Sequence, residues 1–356
     1  MNNNYCVILA GGAGRKFWPF SRQDSPKQFL TISGSDKSYL RAAYERCKNL
    51  VPEENVIVVT TSHYASLVCE ELPELCENNL LVEPYIRDTA PCIAFATYSL
   101  LSRDPLANAL FLPCDNKVGN EEAFEEALAK CLKSSSEKDI LITLGINPTG
   151  PDTNYGYIQA AIPVNDDDEP LKVKTFTEKP DAEIARVFIQ SGEFYWNSGI
   201  LAAKASVMKE ELEKCLPLMS SQFEGWKDNI SDKAFIEKVY GGIERTAMWK
   251  MMEKTERAWM IPGRFKWTDI GELQTYFDSL DKDADGNAAR ADTLLVKNCR
   301  SSMIMSNVPG KLIAVEGLED YIVLDTDDIL FICPRDKDRR KAFLSGISKQ
   351  NFEKYR

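Results

Sequence analysis

Tyr5-Cys6-Val7-Ile8-Leu9-Ala10-Gly11-Gly12-Ala13-Gly14-Arg15-Lys16-Phe17-Trp18-Pro19 is the stretch that decides the fold of this 356-residue chain. An apolar run of strand formers ends in three glycines within four positions, and cations follow as far as Arg22 and Lys27. A strand delivers bare backbone to a phosphate in this way. Without Cβ atoms, Gly11, Gly12 and Gly14 let successive N–H groups point into one concavity that attracts anionic oxygens. Arg15, Lys16, Arg22 and Lys27 add full charges on which a polyphosphate can draw. Taken alone, the glycines read equally well as a plain strand-to-loop turn. The cations favour a nucleoside-triphosphate cradle.

Two familiar phosphate loops fail the comparison. A Walker loop closes on Gly-Lys-Ser/Thr, whereas Gly14 is followed by Arg15 and Lys16. A dinucleotide fingerprint needs a third glycine opening a helix, yet Phe17 stands at that place and Pro19 would break the helix.

Composition narrows the chemistry. With 43 basic and 54 acidic residues the net charge is −11, which argues against a general nucleic-acid or anionic-membrane surface and leaves anion binding to local clusters. Ten cysteines without a CxxC pair read as reduced core residues, and no signal or spanning segment opens the chain, so a cytoplasmic protein is expected. His63 is the sole histidine, which makes Ser-His, Cys-His and histidine-zinc chemistry improbable. Catalysis has to rest on carboxylates, cations or a bound metal.

After the glycine turn, helical and strand patterns alternate: helix over 36–50, strand from Val56, helix after Ser62, strand Leu80–Glu83, helix 90–101, strand 109–112, helix 121–133 and strand 140–144. Alternation of this kind predicts an α/β fold with a doubly wound, mixed but mostly parallel sheet, whose ligands gather beyond the carboxyl ends of the strands. Residues 222–260 read mainly as helix. The polar run 281–287 marks a boundary, dividing the chain into 1–283 and a β-rich module over 284–356. Short strands at close spacing in that module fit a few coils of a β-helix.

Strand-end segments carry the remaining chemistry. In Glu83-Pro84-Tyr85-Ile86-Arg87-Asp88-Thr89-Ala90-Pro91, Arg87 can meet an anion beside a helix start, although spacing alone describes an ordinary capped helix entry. Asp115, just past a buried strand, can hold a hard cation against phosphate, or can simply form a turn with Asn116. Glu178 can take sugar hydroxyls and Lys179 a monoester phosphate, with a solvated ion pair as the plain alternative. Asn197 can both donate to and accept from hydroxyls. Asp269, before a predicted helix, reads as a cap.

Gly11-Gly12-Ala13-Gly14 with Phe17-Trp18-Pro19, Ser21-Arg22 and Pro26-Lys27-Gln28-Phe29 resembles the signature of the sugar-nucleotide pyrophosphorylases, most closely the mannose-1-phosphate guanylyltransferases. The resemblance implies the nucleotide-diphospho-sugar transferase fold with a short left-handed β-helical tail. It also implies transfer of GMP from GTP to mannose 1-phosphate with Mg²⁺, no nucleic-acid or membrane partner, and room for a homodimer. By the same resemblance, Lys27, Arg15 and Lys16 are catalytic, Gly11, Gly12, Gly14, Arg22 and Arg87 bind nucleotide, and Gly156, Glu178, Lys179 and Asn197 bind the sugar phosphate. Asp115 and Asp269 hold the metal. The chain departs from the family pattern at Lys16, where arginine is usual, at Asp88 in place of asparagine, and at Asn116 in place of histidine. Rival readings keep the chemistry with another sugar or base, or keep the fold alone as a nucleotide-sugar sensor. A nicotinamide-dependent dehydrogenase is weaker, since its fingerprint fails.

Overall fold

The opening apolar run is strand β1 (Asn4–Leu9) in the computed structural model, which describes residues 3–31, 36–160, 169–347 and 352–355. Two compact units divide the chain: residues 1–12 with 40–267, and residues 13–39 with 268–356.

In the first unit the strands are β1, β2 (Val56–Thr61), β3 (Leu80–Glu83), β4 (Asn108–Pro113), the short β5 (Asn116–Val118), β6 (Leu141–Ile146), β7 (Tyr157–Ala160), β8 (Leu171–Thr177), β9 (Phe194–Lys204) and β10 (Ala258–Gly263). They form a sheet of order β3-β2-β1-β4-β9-β6-β10-β8-β7, with β5 outside it. From β3 to β4 every neighbour is parallel. β2 and nearly all of β4 are buried on both faces, as the unbroken Val-Ile run of β2 requires, while β3 at the edge alternates. Helix Glu121–Glu137, capped by the Asn120 side chain, packs on β4, β6 and β9.

The sheet is mixed: it is parallel from β3 to β4 and again between β6 and β10, and antiparallel at its other pairings, so the expectation of a mostly parallel sheet holds in these two parts. β9 enters between β4 and β6 antiparallel to both, and β8 runs antiparallel to β10. The alternation pattern misses β9, although helix Ala182–Ser191, capped by Asp181 and closed by Gly192, leads directly into it. The helical reading of 222–260 also ends early: after helices Lys233–Gly242 and Trp249–Met252 the chain becomes β10. At its amino-terminal end β9 pairs with β7 instead of the sheet centre, so this one strand ties an antiparallel hairpin to the parallel scaffold.

The second unit holds β11 (Trp267–Asp269) from Thr268 onward, then β12 (Ala288–Arg290), β13 (Thr293–Lys297), β14 (Met303–Ser306), β15 (Leu312–Glu316), β16 (Tyr321–Asp325) and β17 (Leu330–Pro334). β12, β14 and β16 stack in parallel, β13 pairs in parallel with β15, and β17 closes the stack antiparallel to β16. Phe17 from the early loop is buried in this unit's core with Ile270, Leu273, Phe277, Met303 and Ile322. Trp18 lies edge-on to Phe331 at 5.2 Å and donates its indole N–H to the Tyr355 carbonyl at 2.6 Å.

Candidate active site

In the first unit, β1 runs into Gly11 and Gly12, with the Ala10 N–H donating to the Val59 carbonyl at 2.8 Å. A Cβ on Gly11 would sit 3.2 Å from Glu83 Oε2 and 3.5 Å from Thr61, so a side chain there would press on the Glu83 carboxyl. Gly12 faces open space.

The Glu83–Pro91 segment is fastened along its length. Asp88 adopts φ 75° and caps helix Thr89–Arg103 by accepting from the Thr89 N–H. Arg87 Nε donates to the Tyr240 carbonyl at 3.0 Å, the Thr246 N–H donates to the Arg87 carbonyl at 3.0 Å, and the Met248 N–H donates to Thr89 Oγ1 at 2.8 Å. The segment is a capped helix entry.

Glu83 carries no role in the sequence pattern. Its carboxyl is buried, and Oε1 accepts from the Tyr240 hydroxyl at 2.8 Å. Burial pushes this carboxyl up to about 7, while hydrogen bonds from Tyr240 and the Cys92 thiol pull it partly back. Only its position at a strand end could mark it beforehand, because Tyr240 lies far along the chain.

Asp115 lies half-buried between β4 and β5. Next to it, Asn116 is buried with neither amide atom hydrogen-bonded among the described residues. The chain returns beside this segment at Lys266, whose carbonyl accepts from the Gly119 N–H at 2.8 Å.

The structure brings Gly156, Glu178, Lys179 and Asn197 together. The Asn197 N–H donates to the Gly156 carbonyl at 2.8 Å, and a Cβ on Gly156 would fall 2.8 Å from Glu178 Oε2. Glu178 pairs with Lys179 at 2.9 Å, and Lys179 holds φ 43°, a conformation costly for a residue with a side chain. Asn197 Oδ1 accepts from Thr143 Oγ1 at 3.3 Å and from the Gly199 N–H at 3.2 Å. It sits where the β6–β9 register shifts, a local irregularity that re-aims side chains. Tyr155, with ring centroids 4.8 Å from Trp196 and 5.5 Å from Trp267, lines the neighbouring surface.

In the second unit, Gly14 adopts φ 58°, and a Cβ there would collide with Ser21 Oγ and lie 3.0 Å from Lys27 Cβ. Arg15 and Lys16 are exposed in the turn Arg15–Phe17. Lys27 is buried, its Nζ donating to the Ile270 carbonyl at 2.5 Å, one residue beyond Asp269. Gly14, Lys27 and the Asp269 segment therefore meet. Arg22 points elsewhere: its guanidinium grips both carboxylate oxygens of Asp328 and donates to Thr326 Oγ1 at 2.9 Å.

With this geometry in place, comparison with known proteins is informative. The family model described as nucleotidyl transferase matches residues 5–286. The alginate biosynthesis protein AlgA of Pseudomonas aeruginosa is 34% identical over 344 residues, covering 93% of this chain and 69% of that protein. A mannose-1-phosphate guanylyltransferase of Klebsiella pneumoniae is 32% identical over 366 residues, covering 98% of this chain and 76% of its own. Among solved structures, a Thermus thermophilus protein named mannose-1-phosphate geranyltransferase superposes with a TM-score of 0.86 at 28% identity, covering 98% of this chain and 100% of that one. No helix among the described residues is long and apolar enough to cross a membrane.

The buried carboxyl yields a stability prediction. Glu83 is raised from 4.5 to about 7, so its contribution is fully present below pH 4.5 and is lost as the pH rises through about 7. Glu83→Gln, which cannot ionise, should gain stability relative to the parent between pH 5 and pH 8, by up to about 3 kcal/mol. Urea denaturation at the two pH values measures this, and an equal difference at both would remove the carboxyl's charge from the account.

Proposed function

The chain belongs to the nucleotidyl transferase family, and from that premise we propose that it transfers GMP from GTP to mannose 1-phosphate, giving GDP-mannose and pyrophosphate. A phosphate oxygen of the sugar phosphate attacks the α-phosphorus in line. The new bond forms there as the bond to the bridging oxygen of the β-phosphate breaks, and pyrophosphate leaves with that electron pair. The attacking oxygen is already anionic, so no general base is needed, and the protein contributes positioning and charge neutralisation.

The observation that carries this reading is the cluster of Gly156, Glu178, Lys179 and Asn197. It offers a carboxylate and an amide for sugar hydroxyls beside a cation for a monoester phosphate. In the proposed roles, the backbone of Gly11, Gly12 and Gly14 cradles the triphosphate, with Arg87 at the nucleotide and Arg15, Lys16 and Lys27 neutralising the departing pyrophosphate. Arg22 joins the nucleotide set by exchanging its Asp328 partner.

Asp115 and Asp269 would hold Mg²⁺. The donor set suits a hard cation: both are carboxylates, and no group of three His, Cys, Asp or Glu among the described residues could enclose an ion unaided. Such a cation takes its other oxygens from water and substrate phosphate. When bound, it would supply charge neutralisation at the phosphate oxygens.

We divide the chain functionally into a catalytic part, 1–283, and a left-handed β-helical module, 284–356. Parallel stacking on successive faces, together with the Arg300–Glu319 bridge, supports that module. Ten free cysteines fit a reducing cytoplasm, and a homodimer is compatible with this reading.

Incubation with a panel of nucleoside triphosphates and sugar 1-phosphates tests the reaction. GDP-mannose should be the main product from GTP and mannose 1-phosphate under Mg²⁺; another sugar nucleotide changes the substrates, and binding without turnover favours a sensor. Lys27→Ala should lower turnover about a hundredfold or more, on the scale of one lost transition-state donor; an unchanged pyrophosphate-release rate removes Lys27 from the mechanism. Gly156→Ala forces Glu178 aside, so KM for the sugar phosphate should rise about tenfold or more with KM for GTP unchanged. Equal changes in both constants would show that Gly156 does not serve the acceptor alone.

A further inference from the structure

The first unit carries a cavity of about 440 Å³ that no residue given a role above lines. Its floor is Tyr98, from helix Thr89–Arg103, and Phe223, two buried rings stacked at 4.8 Å. Trp226, half-buried, stands against Tyr98 at 5.2 Å as a wall. Helix Ala205–Cys215 lends Lys209 and Glu213 to the rim, and the bend through Gly225, at φ 83°, brings Glu224 and Lys227 round to it. Because the two long helices pack on each other, core packing sets the floor. The volume falls within the roughly 300–1,000 Å³ of small-molecule sites.

The lining decides what fits. Lys209 and Glu213 pair at 2.8 Å, and Lys227 and Glu224 add one charge of each sign, so the rim sums to zero. A charged ligand of either sign finds no surplus of the opposite sign there. A wholly apolar ligand would cover charged and hydroxyl groups and leave them without partners. What remains is a neutral molecule with one apolar face and several hydroxyls. The face of an indole is negative and takes the weakly positive C–H bonds of such a face. On the floor, burial and then Glu213 push the Tyr98 phenol up to about 12, so it keeps its proton and remains a donor. The Ser220 hydroxyl beside it is buried and makes no hydrogen bond of ordinary geometry among the described residues. The Glu213 and Glu224 carboxylates accept from hydroxyls, and Lys227 donates.

We infer that this cavity is a carbohydrate site separate from the acceptor cluster, binding a neutral saccharide with a pyranose face stacked on Trp226 and its hydroxyls shared among Glu224, Lys227 and the floor. The acceptor cluster offers a cation to a phosphate; this cavity offers an aromatic face and a neutral rim, and so takes sugars that carry no phosphate. A free sugar and a sugar unit within a longer glycan present the same chemistry to it. The inference stands independently of the proposed reaction.

Ligand-observed NMR, with saturation transferred from the protein's aromatic protons, tests this with methyl mannoside and maltotriose at up to tens of millimolar. Mannose 1-phosphate is present throughout to fill the acceptor cluster. Both the signal and its titration should be seen with the wild type. In Trp226→Ala the dissociation constant should rise about tenfold or more, and in Glu224→Lys, at an exposed rim position, about threefold or more. Pyrophosphate release should be unchanged in both. Methyl mannoside binding as well as maltotriose marks a free sugar, and tighter binding of maltotriose marks a glycan; either upholds the inference. Should Trp226→Ala fail to fold, Glu224→Lys decides alone. Absence of any saccharide signal overturns the inference, as does binding that neither substitution weakens. Displacement of the saccharide by GMP also overturns it, since that would place the sugar in the nucleotide site. None of these outcomes touches the proposed reaction.

Discussion

The missing side chains at Gly11 and Gly14 are the constraint on which the rest depends. Gly11 passes a buried carboxyl that a Cβ would press upon at 3.2 Å, and Gly14 turns through a left-handed conformation in which a Cβ would collide with Ser21 Oγ. Between them the chain leaves one compact unit and enters the other. A stretch so short of side chains has little packing of its own, so its position has to be set from its ends. On one side β1 is fully paired between β2 and β4. On the other, Phe17 is buried in the second unit's core and Trp18 is locked by Phe331 and the Tyr355 carbonyl. Burial of the Phe17 side chain is worth roughly 1.5–3 kcal/mol, and the partly buried Trp18 adds to it.

The acceptor cluster is built by a different device. The antiparallel strand β9 lies between β4 and β6, and its amino-terminal end pairs with β7. Asn197 sits where the register shifts, and its backbone binds Gly156 directly. Lys179 holds a positive φ beside them, a strain of about 1–3 kcal/mol that packing elsewhere must offset. Strain of that size beside a register shift and a glycine pressed against a carboxylate is unusual for mere scaffolding and usual where geometry serves a ligand.

How much of this is legible in the sequence depends on how local each signal is. β1 with its glycines, the parallel strands after it and helix Glu121–Glu137 follow from runs and periods within a dozen residues, and they lie where the pattern puts them. Trp18 is visible as part of a signature but not as an anchor, because its partners Phe331 and Tyr355 are more than three hundred residues away. β9 is invisible as a central strand because its neighbours in the sheet are not its neighbours in sequence. Arg22 looks equivalent to Arg15 and Lys16 as a cation near glycines; only tertiary structure assigns it to Asp328. Glu83 shows no charge anomaly until burial and Tyr240 are in view.

Net charge gives the last step. A chain at −11 repels a polyanion at long range, so phosphate binding has to be assembled at short range from groups whose charge state favours it. Arg15 and Lys16, exposed in the turn, can meet the ligand first, while the buried Lys27 is already aligned by a carbonyl and needs little reorganisation. In the proposed roles, Asp115 and Asp269 would meet a triphosphate only in company with a divalent cation. A surface made broadly basic would bind phosphates without discrimination. On the proposed reading, confining the favourable charges to one turn and making the acids conditional on a metal would let an acidic protein hold nucleotide at one place.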